Sequence, residues 1–183
     1  MLVESLAVSL IIGKIRGGKF TNIGKEEIKG WYLIVSSFVL EYGSVFYASG
    51  GNNFVKNYIF YIHSFSYLLL LIGIAMNIKK LSFQIMAVGV LLNLMVILAN
   101  GGQMPVSIWA LEKAGLIRNI ATIAEKSDII HSLMEPSTKL WFLGDVFPIG
   151  RNGFFSYVVS IGDIVMSLGV FVYIQRLMAD KSV

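Results

Sequence analysis

Apolar residues along this chain fall in long unbroken blocks, unlike the one-sided stripe of a soluble helix or the alternation of a half-buried strand. Four blocks, at about 28–48, 58–77, 81–99 and 154–174, each hold about 20 residues, enough for about 30 Å of helix. Lipid offers a backbone no hydrogen-bonding partner, so each block is predicted to be a helix that crosses a membrane. A fifth block, at about 2–15, is shorter, and its length leaves open whether it crosses fully. Glu4 opens it and basic residues close it, the reverse of a cleaved signal peptide, so it is expected to be retained as the first span.

The stretch 100–153 breaks this pattern. It is too long for a turn and too apolar for a solvated tail. Pro105 suits the first turn of a helix, and Ile108, Trp109, Leu111 and Leu116 then give about 106–116 an apolar stripe. Ile117, Ile120, Ile123, Ile130 and Leu133 recur at near-helical spacing through about 118–133. Two amphipathic helices are predicted here, lying on or dipping into the outer leaflet. The expected fold is therefore all-α: a polytopic membrane bundle of about five helices under an extracytoplasmic helical cap, one integral membrane domain over 1–183.

Composition agrees with a membrane setting. Only 14% of residues are charged, 56% are hydrophobic, and the mean hydropathy is +0.73. About a quarter charged residues is usual for a soluble domain, so too little polar surface is present to cover a water-soluble globule. The net charge of +4 does not point to nucleic acid, because no basic cluster is interleaved with stacking aromatics. It bears instead on orientation. Lys14, Arg16, Lys19, Lys25 and Lys29 follow the first block, Lys79 and Lys80 sit in the tight turn after the third, and Arg176 and Lys181 lie in the tail. With five spans these regions share one side, and the remaining basic residues are spread thinly over the other. The positive-inside rule then places the N-terminus outside and the C-terminus in the cytoplasm of a multi-pass cell-membrane protein. Absence of cysteine excludes disulfides, thiol nucleophiles and Cys-based metal sites.

An ionisable residue inside a membrane segment is costly and carries a functional hypothesis by default. Glu41, His63 and Asp163 lie within predicted spans, with Asn93 as a candidate interhelical hydrogen-bonding residue. Asp163 is expected about nine residues, or about 14 Å, below the outer end of the last span. In the assigned orientation all of these fall in the outer half. The cap adds Asn100, Gln103, His131 and Asp145 at the same end. Asn100, Gln103, Asp145 and Asp163 are therefore expected to converge on one outer pocket, with Glu41 facing the bundle interior and His63 and His131 nearby.

Three ordered motifs carry a resemblance: Asn100-Gly-Gly-Gln-Met-Pro-Val106, Leu143-Gly-Asp-Val-Phe-Pro148 and Ser160-Ile-Gly-Asp163. Together they resemble a family of small bacterial multi-pass membrane proteins of unknown function. Gly17-Gly18-Lys19 followed by Asn22 is similar to that family's Gly-Gly-basic segment, with Lys19 where Arg is expected. The resemblance spans nearly the whole chain and implies one intact domain. It brings no activity, cofactor, metal or partner.

Three classes of function fit these residues. The first is binding or transport of a cation or small molecule in the outer pocket, since carboxylate and amide oxygens are hard ligands. Five spans without an inverted repeat are few for a carrier, so a homo-oligomer or larger membrane complex is implied beside the lipid bilayer itself. The second is a structural or accessory subunit in which the polar groups lock helices together. The third is a membrane-embedded enzyme acting on a lipid head group, with the aspartates and a histidine as general base and metal ligands. No H-E-x-x-H, G-x-S-x-G or P-loop motif supports catalysis, and two isolated histidines are a weak basis for haem.

Overall fold

The computed structural model describes residues 2–49, 53–151 and 156–179. Five longer helices carry the fold: α1 (Leu2–Ile15), α2 (Trp31–Ser49), α3 (Asn53–Ala75), α4 (Leu81–Ala99) and α7 (Ile161–Met178). They pack in the order α2, α3, α4, α7, α1. Three of them, over Phe54–Ala75, Leu81–Ala99 and Ile161–Met178, are long and apolar enough to cross a membrane. The core is built mainly from Leu70 and Ile74 of α3, Phe83, Met86 and Val90 of α4, and Met166, Tyr173 and Ile174 of α7. The outward faces stay apolar, with Val39, Phe46, Tyr61, Leu91 and Leu168 exposed. A water-soluble bundle would put polar residues there.

The helix α4 approaches α7 closely. A Cβ on Gly162 would run into the Asn93 side chain and lie 2.7 Å from the Gly89 carbonyl oxygen, so only a residue without a side chain fits. Small residues let helix backbones meet at this distance. At the end remote from the cap, Asn77 ties α3 to the start of α2. Its Nδ2 donates to the Lys29 and Gly73 carbonyls, and its Oδ1 accepts from Lys29 N. A short 3-10 turn at Phe20–Lys25 closes over the end of α7, where Lys19 N donates to the Met178 carbonyl.

The region between α4 and α7 is a mixed cap, which corrects the all-α expectation. It contains β1 (Met104–Val106), α5 (Ile108–Ala114), α6 (Ile117–Ala124), β2 (His131–Leu133), β3 (Phe147–Ile149) and β4 (Tyr157–Val159). β1 pairs in parallel with β2, and β3 pairs antiparallel with β4. Pro105 is buried in β1 instead of opening a helix, and Ser107 is the N-cap of α5. The helix predicted over 118–133 stops at Ala124. Asp128 Oδ1 accepts from the N–H groups of Ile130 and His131, a local turn that competes with helix and delivers His131–Leu133 as a strand. The last span, predicted from 154, begins at Ile161, because Tyr157–Val159 is used as β4. The sequence has three glycine pairs of the kind that mark turns: Gly17–Gly18 follows α1, Gly101–Gly102 follows α4, and Gly50–Gly51 lies outside the described residues.

Candidate functional site

The Glu41 side chain, from the middle of α2, reaches across to α3. Its Oε2 accepts from Ser66 Oγ at 3.4 Å, and its Oε1 lies 3.8 Å from His63 Nε2. His63 is 2% exposed. Its Nδ1 is 2.7 Å from the Gly102 carbonyl oxygen. A carbonyl only accepts, so Nδ1 carries the hydrogen. Gly102 adopts φ +87, where a side chain is strained, and its Cβ would sit 2.5 Å from Phe60 Cα. The turn after α4 thus fixes the imidazole tautomer. His63 Nε2 is left buried with no hydrogen-bond partner among the described residues, aimed at the Glu41 carboxylate.

The adjoining group is self-sufficient. Asn93 of α4 donates from Nδ2 to Asp163 Oδ1 at 2.8 Å, and its Oδ1 accepts from Ser160 Oγ at 2.8 Å. Ser160 Oγ in turn accepts from Asp163 N, and Asp163 Oδ2 accepts from Ser160 N. This is a capping box on α7. Asp163 therefore sits in the first turn of its helix, and the expected depth of nine residues is corrected. Tyr67 packs beside the Glu41–His63 pair, its ring 5.3 Å from that of His63.

The cap supplies a second histidine beside a carboxylate. His131 Nδ1 donates to Asp128 Oδ2 at 2.8 Å, and its Nε2 lies 3.8 Å from Asp145 Oδ2. Asp145 is 6% exposed, is held in place by backbone bonds to Pro105 and Ser107, and has an Oδ1 without a partner among the described residues. Burial, countered by His131 and reinforced by Asp163, pushes the Asp145 carboxyl up to about 7. Burial opposes charge on His131, but the Asp128 hydrogen bond and charge outweigh it and the imidazole is raised. Asp128 shows the reciprocal balance and ends lowered. A groove of about 590 Å³ lined by Gln103, Asp128 and His131 opens beside this cluster.

Glu41 is thus paired with His63, His131 with Asp145, and Asp163 with Asn93 and Ser160. Asn100 and Gln103 join none of these groups. Asn100 clasps the Lys139 backbone and the Val96 carbonyl, and Gln103 donates to the Ile129 carbonyl, so both fasten the cap. Ser66, Tyr67, Asp128 and Ser160 are additional members. Two left signals in the sequence: Ser160-x-x-Asp163 is a capping-box spacing, and Asp128-x-x-His131 is a side-chain-capped turn. Among the described residues no group of three or more His, Asp or Glu side chains is arranged to hold a metal ion.

A model of a family of unknown function, DUF5317, matches residues 25–175. The chain belongs to this family. An uncharacterised protein of Thermotoga maritima is similar to this DUF5317 chain, 27% identical over 173 residues, covering 94% of this chain and 89% of its own length. The expected resemblance to an uncharacterised family is met, and the three motifs acquire physical roles in this DUF5317 chain. Asn100–Val106 sets the His63 tautomer and begins the cap, Leu143–Pro148 buries Asp145, and Ser160–Asp163 caps α7 against Asn93. No solved structure matches the chain.

Proposed function

We propose that this protein is a single multi-pass membrane domain, with five spans and the cap outside, that binds a small cation through the polar cluster beneath the cap. The carrying observation is the buried His63 Nε2 facing Glu41 across 3.8 Å with Nδ1 already committed to a carbonyl. Two acceptors facing each other in a low-dielectric interior need a positive charge or a proton donor between them. A water-sized cation, an alkali ion or ammonium, meets both. Basic residues concentrated at the opposite end favour that end as cytoplasmic. The structural-subunit reading draws support from the Asn93–Ser160–Asp163 group, whose polar atoms satisfy one another and join α4 to α7. We assign that group to assembly and the Glu41–His63 pair to binding.

The test is thermal unfolding of purified protein in nanodiscs while Na⁺, K⁺ and NH₄⁺ are titrated separately at constant ionic strength. One of the three should raise the midpoint in the wild type and fail to do so in Glu41→Gln and His63→Phe, each of which stays folded. Equal response of wild type and both variants to every ion rejects the binding role and leaves assembly.

A further inference from the structure

The end of the bundle opposite the cap carries a second polar cavity, of about 390 Å³, between the 3-10 turn, the start of α4 and the end of α7. Among the described residues, Lys25, Lys80 and Arg176 line it with one carboxylate, Glu26, which is paired to Lys80. Two hydroxyls also line it, Ser82 Oγ and Tyr173 OH. Both atoms are buried without a partner among the described residues, in side chains 1% and 9% exposed. Ser82 stands in the first turn of α4, whose N-cap, Lys80, makes no side-chain cap bond. The leading N–H groups of a helix have no acceptor within it, and the helix dipole makes that end positive. Cations, unpaired hydroxyl donors and an uncapped helix start are the recognition set for a phosphoryl group.

A second feature adjoins it. A wholly apolar groove of about 330 Å³ runs between α1, α2, α3, α4 and α7, and Tyr173 lines both spaces. Phe83 lines the groove, and the Lys80 ammonium lies 5.6 Å from its ring centre and 5.9 Å from that of Tyr173. The cation thus marks the boundary between the polar cavity and the apolar groove.

We infer that this end of the bundle binds an anionic phospholipid, with its phosphate in the Lys25–Lys80–Arg176 cavity and an acyl chain in the groove beside Tyr173. The inference rests on a bilayer setting and not on the cation site beneath the cap. An anionic headgroup is selected because Arg176 stands beside the Glu26–Lys80 pair as a further cation lining the cavity. An acyl chain is selected because the adjoining groove offers an occupant no polar contact.

The test is native mass spectrometry of detergent-purified, delipidated protein with phosphatidylglycerol, phosphatidylcholine or inorganic pyrophosphate added. Phosphatidylglycerol should be retained in preference to phosphatidylcholine, and Arg176→Gln should weaken it about fivefold, the worth of one basic residue near an anionic headgroup. Val170→Trp, which fills the groove, should reduce lipid retention and leave pyrophosphate unchanged. Equal retention of the two lipids by the wild type, a comparison that needs no variant, overturns the inference. So does pyrophosphate binding as tightly as phosphatidylglycerol, which would identify a soluble phosphate as the ligand. Cation-induced stabilisation through Glu41 should persist in Arg176→Gln, which separates the two sites.

Discussion

At the scale of single residues, the two histidines show how a shared geometry leads to different chemistry. Each has Nδ1 committed and Nε2 3.8 Å from a carboxylate. His63 meets a neutral carbonyl and is buried in the bundle. His131 meets the Asp128 carboxylate, which favours its charged form. Asp145, facing His131 and within reach of Asp163, holds its proton to about 7 against an ordinary value of 3.8. A raised folded-state value means that the native state binds the proton more tightly than the unfolded chain. Stability from this group is therefore full below 3.8 and lost as pH rises to about 7. His131, raised above 6.5, adds a loss of the same sign on its alkaline side. Asp128 acts oppositely, but only below 3.8. Thermal midpoints should accordingly fall between pH 4.5 and 7.5, a window of roughly three units chosen to bracket the Asp145 transition. Asp145→Asn, neutral throughout, should flatten that slope, and an unchanged slope would show that Asp145 is not the titrating group.

At the scale of elements, the contact of α4 with α7 and the capping box join in one joint. Ser160→Ala removes both the cap of α7 and the hydroxyl that satisfies Asn93, and should cost about 1–2 kcal/mol in reversible unfolding. Gly162→Val drives a side chain into Asn93 and should cost about 1–3 kcal/mol or more. Gly43→Ala on α2, where a Cβ meets nothing within 4 Å, should be neutral or gain up to about 1 kcal/mol. Comparable losses at Gly43 and Gly162 would remove the close-approach argument. The apolar blocks marked the long helices, but not where several of them begin. Hydropathy continues through Tyr157–Val159, and the pairing of that stretch with Phe147–Ile149, distant information, makes it a strand. Ser160-x-x-Asp163 was the local signal that α7 starts there.

At the scale of the whole molecule, the exposed apolar faces and the uneven basic residues make topology directly testable. The chain has no cysteine, so each introduced one is unique. Impermeant thiol reagent added to intact cells should label Lys113→Cys, an exposed position of α5, and spare Lys79→Cys in the turn after α3; the opposite pattern would invert the molecule. The block pattern alone determined that the chain is dominated by long apolar helices, because burying a backbone in lipid or in a helical core demands uninterrupted apolar length. The same pattern, with the motifs, marked Glu41, His63, Asp145 and Asp163 as groups needing partners. Tertiary structure decided who those partners are. Asn100 and Gln103 have the chemistry of ligands, yet nearby carbonyls of the cap take up their amides. His63 acquires its tautomer from a carbonyl 39 residues away. Short cap segments decide between helix and strand by the backbone they meet, a contact between distant residues that local periodicity does not encode.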